Sequence, residues 1–441
     1  MGKTKASTIV KFRCERDTLV EALGNAGRAV TNRGGALPVL SGVRVALSGS
    51  TLQLTGSDLD MTITCTIEVD GQADGVAVVP AKLTADIVKA LESGAVTVEV
   101  DDNEAKISAG RSNFAVRAIP AAEYPRIAEP AGEALTIDTA ELTAALRQVV
   151  SAASTDESRP ILTGVLMAAE ADGLRLVATD SYRLAVRDLP GTTVLGEDEQ
   201  VLIPSAALRE LGRLLGDAES VTLRLGDRDA SFEIGSTQLI TRLIDGQFPN
   251  YRGLIPASQQ NKLTVGRDAF IEAVRRVKVV AREPSTPVKL DMSGDGLNLS
   301  VSSQDTGNAF EQVDAKYEGT ELTVAFNPDY LLAGLEVAGW RRGVVETVDA
   351  LKPAVLCSTD NTDFLVPADA RARRLGARRC IGAARAPLAD RLPQLPRRQL
   401  RAGTRADGGR RRQRSGQEQP ARGGGLPGRA ELRSRVRPPR R

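Results

Sequence analysis

A chain of 441 residues with 41% hydrophobic content is long enough for about three domains with packed cores. It contains no histidine, which excludes Ser-His-Asp and Cys-His catalysis and histidine-based zinc chemistry. The net charge of +2 conceals two halves: residues 366–441 hold 22 arginines, no lysine and five acids, or +17, so residues 1–365 carry −15.

Cys14, Cys65, Cys357 and Cys380 are scattered without a C-x-x-C pair, so they read as ordinary thiols rather than a disulfide framework or metal site. Met1–Ala6 lacks an apolar signal core, and no apolar run is long enough to span a membrane. A soluble, cytoplasmic protein without cofactor or metal is expected.

The chain repeats itself. Leu19-Val20-Glu21-Ala22-Leu23, Leu142-Thr143-Ala144-Ala145-Leu146 and Phe270-Ile271-Glu272-Ala273-Val274 each read as a first helix, followed by a loop with a proline at Pro38, Pro160 and Pro287. Val79-Pro80-Ala81, Ile203-Pro204-Ser205 and Asn327-Pro328-Asp329 each end a strand and open a second helix, with prolines 124 residues apart. Tyr124-Pro125 and Phe248-Pro249 keep the same interval. Thr51–Leu54, Gly173–Val177 and Leu297–Val301 alternate as half-buried strands do. The spacing predicts three homologous α+β domains, residues 8–130, 135–257 and 262–365, each with two helices packed on antiparallel sheet.

Ala178-Thr179-Asp180-Ser181-Tyr182-Arg183-Leu184-Ala185-Val186 reads as strand, turn and strand, presenting Tyr182 and Arg183 near the turn. The helices carry basic faces opposite their apolar stripes. Phe270, Val274 and Val277 face one way while Arg275, Lys278 and Arg282 recur at helical spacing; Leu208, Leu211 and Leu215 oppose Arg209 and Arg213; Lys82 and Lys89 do the same in the first domain. An acidic body thus places positive charge on its helices; a merely solvated face is the plain reading of any one of them, and recurrence in all three domains weighs against it. A competing reading is a metal-dependent nuclease using Asp58, Asp60 and Asp180, for which no third acid or histidine is obviously placed.

Four stretches carry a resemblance: Arg33-Gly34-Gly35-Ala36-Leu37-Pro38-Val39-Leu40, Ala178 to Val186, Leu243-Ile244-Asp245-Gly246-Gln247-Phe248-Pro249-Asn250-Tyr251-Arg252, and Ala325-Phe326-Asn327-Pro328-Asp329-Tyr330. Together, over about residues 8–365, they resemble the bacterial DNA polymerase III β subunit family of sliding clamps, and the alanine- and arginine-heavy usage looks actinobacterial. The resemblance implies a DNA clamp fold and a head-to-tail homodimeric ring of six domains, non-catalytic, giving processive replication. A clamp-like paralogue that binds partners but loads poorly is a variant of this reading.

Carried onto this chain, the resemblance implies sequence-independent contact with double-stranded DNA by Arg33 and Arg159 on loops and by Arg147, Arg209, Arg213, Arg275, Lys278 and Arg282 on helices. Pro160 and Ile161 stand where a tyrosine pair sometimes follows the arginine, which removes stacking platforms for single strands. It implies a peptide pocket between the second and third domains formed by Leu162, Thr179, Ser181, Tyr182, Arg183, Leu184, Pro249, Asn327, Tyr330, Leu351 and Pro353. Its partners would be the polymerase III catalytic subunit, the clamp loader, translesion polymerases, ligase and mismatch-repair proteins, each bringing a short peptide motif.

The end of the chain departs from the family. Members resembling it close on a strand similar to Tyr-Leu-Leu-Met-Pro-Val-Arg, whereas this chain runs Val366-Pro367-Ala368-Asp369-Ala370-Arg371-Ala372-Arg373. Written as codons and shifted by one base, GTN CCN GCN GAY GCN CGN GCN CGN becomes TNC CNG CNG AYG CNC GNG CNC, which can encode the missing strand. Residues 366–441 therefore read as an out-of-frame, disordered Arg/Gly/Pro-rich tail; an arginine-rich nucleic-acid arm is the alternative. Loss of the last strand would leave the pocket incomplete.

Overall fold

Six α-helices fall at the predicted rhythm among the described residues: α1 (Arg16–Gly27), α2 (Ala81–Ala90), α3 (Thr139–Val149), α4 (Ser205–Leu214), α5 (Arg267–Lys278) and α6 (Pro328–Val337). The structure, a computed structural model, describes residues 10–30, 37–125, 127, 130, 132–192, 195, 199–255, 259–283, 286–358 and 364–368. The repeating prolines do not all occupy the same helical position. Pro328 is the first residue of its helix, whereas Pro80 and Pro204 stand one residue earlier, with φ near −57° and −54° and extended ψ. The fixed φ of the ring suits both the strand end and the helix start, so either placement is unstrained.

Each helix lays an apolar stripe against sheet. Phe270, Val274 and Val277 of α5 are buried, as are Leu142, Ala145, Leu146 and Val149 of α3 and Leu208 and Leu211 of α4. The helices pack in pairs, α1 with α2, α3 with α4 and α5 with α6, and α3 also meets α6 across the boundary between the second and third domains. Phe12, Phe232, Phe270 and Phe326 are among the largest fully buried side chains, so every domain has at least one aromatic at its centre.

The strands form four antiparallel sheets among the described residues, and two of these cross domain boundaries. In the eight-stranded sheet, Thr237–Arg242 of the second domain pairs with Met61–Glu68 of the first, from Thr237↔Cys65 to Thr241↔Met61. In the nine-stranded sheet, Phe364–Ala368 of the third domain pairs with Leu184–Pro190 of the second, through Val186↔Leu365 and Arg187↔Phe364. The two junctions use corresponding strands of successive repeats. The remaining sheets end on Ser112–Arg117 in the first domain and Gly307–Val313 in the third, each paired on one side only among the described residues.

The expected loss of the last strand is corrected. Phe364–Ala368 occupies that position, and Ala354↔Ala368, Val355↔Pro367 and Leu356↔Val366 tie it to Ala354–Ser358 as well. The pairing runs past Val366 because a sheet ladder is made by main-chain groups; Pro367, which has no N–H to donate, lies beyond the residues paired with Leu184–Pro190, where the strand has a neighbour on one side only among the described residues. The rest of the tail lies outside the described residues, as do Arg33 and Cys380.

Gly56 marks the tightest helix–sheet approach in the first domain: a Cβ there would stand 2.0 Å from the main-chain oxygen of Ala26 in α1. Gly56→Val should therefore push α1 off the sheet, lowering stability by about 2 kcal/mol or more. Thermal unfolding followed by circular dichroism checks this; an unchanged midpoint would refute the close approach.

Candidate functional site

The hairpin foreseen at Ala178–Val186 is formed by strands Gly173–Thr179 and Leu184–Pro190, and its turn is held by one carboxylate. Asp180 Oδ1 accepts from the backbone N–H of Tyr182 and of Arg183, both at 2.9 Å, and Oδ2 accepts from Arg183 Nε at 3.1 Å. Thr179 Oγ1 donates to the carbonyl of Arg183 at 2.7 Å, closing the turn from the other side. These bonds hold Ser181 at φ +80°, a left-handed conformation that a non-glycine residue adopts only when its surroundings impose it.

The same device recurs one repeat earlier. Asp58 Oδ1 accepts from the N–H of Asp60 at 3.0 Å and of Met61 at 2.7 Å, and Leu59 sits at φ +81°. Asp58 and Asp180 are thus corresponding turn caps in different domains. Burial raises the Asp58 carboxyl, and its two N–H donors work in the opposite direction. Asp58 and Asp180 cap separate turns in different domains, and among the described residues no group of three or more acids or cysteines is placed to hold a metal ion, which overturns the reading of Asp58, Asp60 and Asp180 as one metal site.

Around the second-domain turn the structure gathers several predicted pocket residues. Tyr182, half exposed at 51%, stacks on Tyr330 of α6 with ring centroids 6.1 Å apart, and the Arg183 guanidinium lies 5.0 Å from the centre of the Tyr330 ring. Burial, then the Asp180 carboxylate, push the Tyr330 phenol above its ordinary range. Asn327 caps α6 by accepting from the Asp329 N–H at 2.8 Å, which fixes the start of the helix that carries Tyr330. Leu162, Thr179 and Leu184 are buried. Leu184 belongs to an apolar cluster with Leu166, Val177, Val186, Leu202, Phe248 and Tyr251. Pro249 and Pro353 are half-buried, and Leu351 is 70% exposed.

One predicted DNA contact is placed differently, and another keeps its expected loop position. Arg282 is not on a helix, because α5 ends at Lys278 and the chain turns there. Arg159 lies beside the groove turn: its Nη1 donates to Ser181 Oγ at 3.2 Å and its Nε to Asp156 Oδ2 at 2.8 Å. Bonds from the hydroxyl and N–H of Ser158, then from Arg159, hold the Asp156 carboxyl below its ordinary value.

The other basic residues lie on α3, α4 and α5 and meet carboxylates or helix-end carbonyls that sequence reading missed. Arg275 donates to Glu272 and to Glu336, both at 2.9 Å, Lys278 pairs with Asp329, and Arg213 pairs with Glu210. Arg147 Nη2 reaches the carbonyl of Glu336 at 3.3 Å. Arg209 is exposed on α4. Spacing would have shown Glu272 and Glu210, three residues from their partners; Glu336 and Asp329 arrive from another helix and leave no local signal.

Three successive family descriptions match this architecture: DNA polymerase III beta subunit N-terminal domain over residues 10–128, central domain over 136–250 and C-terminal domain over 252–366. The chain belongs to the DNA polymerase III beta subunit family. It is 32% identical over 360 residues to the beta sliding clamp of Streptomyces coelicolor, covering 80% of this chain and 95% of that protein. The DNA polymerase sliding clamp from Bacillus subtilis matches with a TM-score of 0.78 and 30% identity, over 82% of this chain and 98% of that one. The sliding clamp of Pseudomonas aeruginosa, solved bound to griselimycin, matches at 0.77 and 28%, over 82% and 98%. The fold is that of a three-domain DNA sliding clamp, a subunit of DNA polymerase III without catalytic activity. Among the described residues, no helix is long and apolar enough to cross a membrane.

Asp180→Ala should release the turn, speeding hydrogen exchange at the Tyr182 and Arg183 amides roughly tenfold or more, the loss expected when hydrogen bonds to a charged group are removed. Mass-resolved exchange measures this, and unchanged rates would show that the carboxylate does not hold the turn.

Proposed function

We propose that two copies of this chain close head to tail into a ring around duplex DNA, and that the groove at the Asp180 turn takes partner peptides. The observation that carries the ring is the pair of interdomain strand junctions. The last strand of the second domain pairs with Met61–Glu68, and the last strand of the third pairs with the corresponding Leu184–Pro190. The same rule applied once more joins the last strand of the first domain, Ser112–Arg117, to Gly307–Val313 of another copy. Both are sheet-edge strands, and they carry Phe114 and Phe310 at 40% and 67% exposure, a combination that invites pairing.

Within such a ring, Arg33, Arg147, Arg209, Arg213, Arg275, Lys278 and Arg282 would contact phosphates without reading bases, so the ring slides. Arg159 is better assigned to the groove through its bond to Ser181. The groove would anchor aromatic and leucine side chains of peptides from the polymerase III catalytic subunit, the clamp loader, translesion polymerases, ligase and mismatch-repair proteins. Its lining would comprise Leu162, Thr179, Ser181, Tyr182, Arg183, Leu184, Pro249, Asn327, Tyr330, Leu351 and Pro353, with Tyr182, Arg183 and Tyr330 joined by direct ring contacts.

The ring predicts a dimer by sedimentation. Phe114→Asp or Phe310→Asp should give monomers that no longer support processive synthesis on primed circular DNA with polymerase and clamp loader. A wild-type monomer that supports processivity, or a dimer indifferent to both changes, would remove the strand-edge assignment.

We further propose that the frame shifts at about Val366. Backbone pairing of Phe364–Ala368 is compatible with this, since that ladder does not depend on side-chain identity. Repeated sequencing of the gene across the Leu365 and Val366 codons is expected to reveal one missing or extra base; an intact frame would assign the arginine-rich tail to the protein itself.

A further inference from the structure

Counted over α1 to α6, the helices carry ten basic and nine acidic residues, so the layer read as positive from its arginines and lysines is close to neutral. The distribution is uneven. α5 holds four of the ten cations, and α6 holds no cation and two acids, Asp329 and Glu336. Both acids face α5: Asp329 pairs with Lys278, and Glu336 Oε1 accepts from Arg275 at 2.9 Å. Glu272 takes the other arm of the same guanidinium at 2.9 Å.

The main chain that carries Glu336 is held in place. The end of α6 is held by Arg267, whose Nε donates to the Leu335 carbonyl and Nη2 to the Glu336 carbonyl, each at 2.9 Å, and by Arg147 from α3. Arg147, Arg267, Ile271, Glu272, Arg275 and Glu336 line one cleft of about 460 Å³ where the second and third domains meet. The carboxylates therefore stand at fixed places beside the cations that a duplex would approach. The bonds to Glu336 and Glu272 raise the Arg275 guanidinium further, so its charge is permanent and only its partner can change.

We infer that Glu272, Asp329 and Glu336 are built-in counterions that weaken the grip of α5 on DNA. This rests on the reading of α5 as a DNA-facing helix. A phosphate can reach Arg275 or Lys278 only by displacing a carboxylate, so the gain is the difference between two ion pairs rather than a whole one. Such contacts are also exposed and screened, with each partner side chain 37–58% accessible, which lets them exchange readily. A ring that stays on DNA by enclosure benefits from weak contacts, since strong ones would slow its movement.

The test uses the full chain with Glu272→Gln, Asp329→Asn and Glu336→Gln combined. A control, Glu99→Gln, Glu233→Gln and Glu318→Gln, makes the same change in net charge on strands, where these residues pair with Lys11, Arg224 and Lys316. Binding of a short fluorescent duplex is followed by anisotropy over a salt series. Freeing two cations should steepen the slope of log affinity against log salt by roughly 1.8 and tighten binding about tenfold at low salt, with the control near wild type. Unchanged affinity and slope in the helix variant, or an equal gain in the control, would overturn the inference. Arg275→Ala with Lys278→Ala separates the two levels: if this pair weakens binding while removing the carboxylates has no effect, the counterion role fails and the DNA-facing reading stands. If neither set matters, both fail.

Discussion

Main-chain pairing between strands of successive domains is the constraint on which the molecule depends. Each repeat makes sheet edges that it does not cover itself, and an uncovered edge is a row of unpaired donors and acceptors. Thr237–Arg242 covers Met61–Glu68, and Phe364–Ala368 covers Leu184–Pro190, so each domain completes the one before it. The pairing also sets the functional geography. Leu184–Pro190 is at once the junction strand and one arm of the Asp180 hairpin, so the groove turn is placed by the same ladder that joins the second and third domains. On the helical side, α3 meets α6 across that junction, which is how Arg147 comes to the end of α6.

The repeat itself was plain in the sequence because it is written in backbone chemistry. Pro80, Pro204 and Pro328 recur where a strand gives way to a helix, and the apolar stripes of α3 and α5 follow the helical period. The hairpin at Ala178 was equally legible. Its holding device was less so: Asp180 reads as a candidate metal ligand, whereas its Oδ1 accepts from the amides of Tyr182 and Arg183 and its Oδ2 from the Arg183 guanidinium. An aspartate two and three residues ahead of the N–H groups it caps is a local turn signal, and the matching Asp58 turn would have shown that the two acids belong to separate repeats.

Interdomain partners were not legible, for a physical reason. A strand ladder is made of groups common to every residue, so nothing in Thr237–Arg242 names Met61–Glu68 as its neighbour. For the same reason the stretch after Leu365, which departs from the ending the resemblance implies, still pairs as the last strand. Ion pairs between helices share the difficulty: Asp329 and Glu336 lie 51 and 61 residues from Lys278 and Arg275, and only the packing of α5 on α6 brings them together. Arg282 lies beyond the end of α5, and the helix faces read as positive also carry acids that local spacing does not reveal.

Those acids alter how sliding is understood. If the helix layer were strongly positive, affinity would come from the contacts, and a ring would be redundant with its own surface. A layer with ten cations and nine acids cannot hold DNA that way. Under the proposed ring its contacts would gain little individually, because phosphate and carboxylate would compete for the same guanidinium and ammonium groups. On the proposed ring, retention would then come from closure of the sheet, with a strong wall complementing a weak lining. The strand junctions supply permanence through many cooperative main-chain bonds, while the paired side chains on α5 and α6 keep the inner contacts exchangeable.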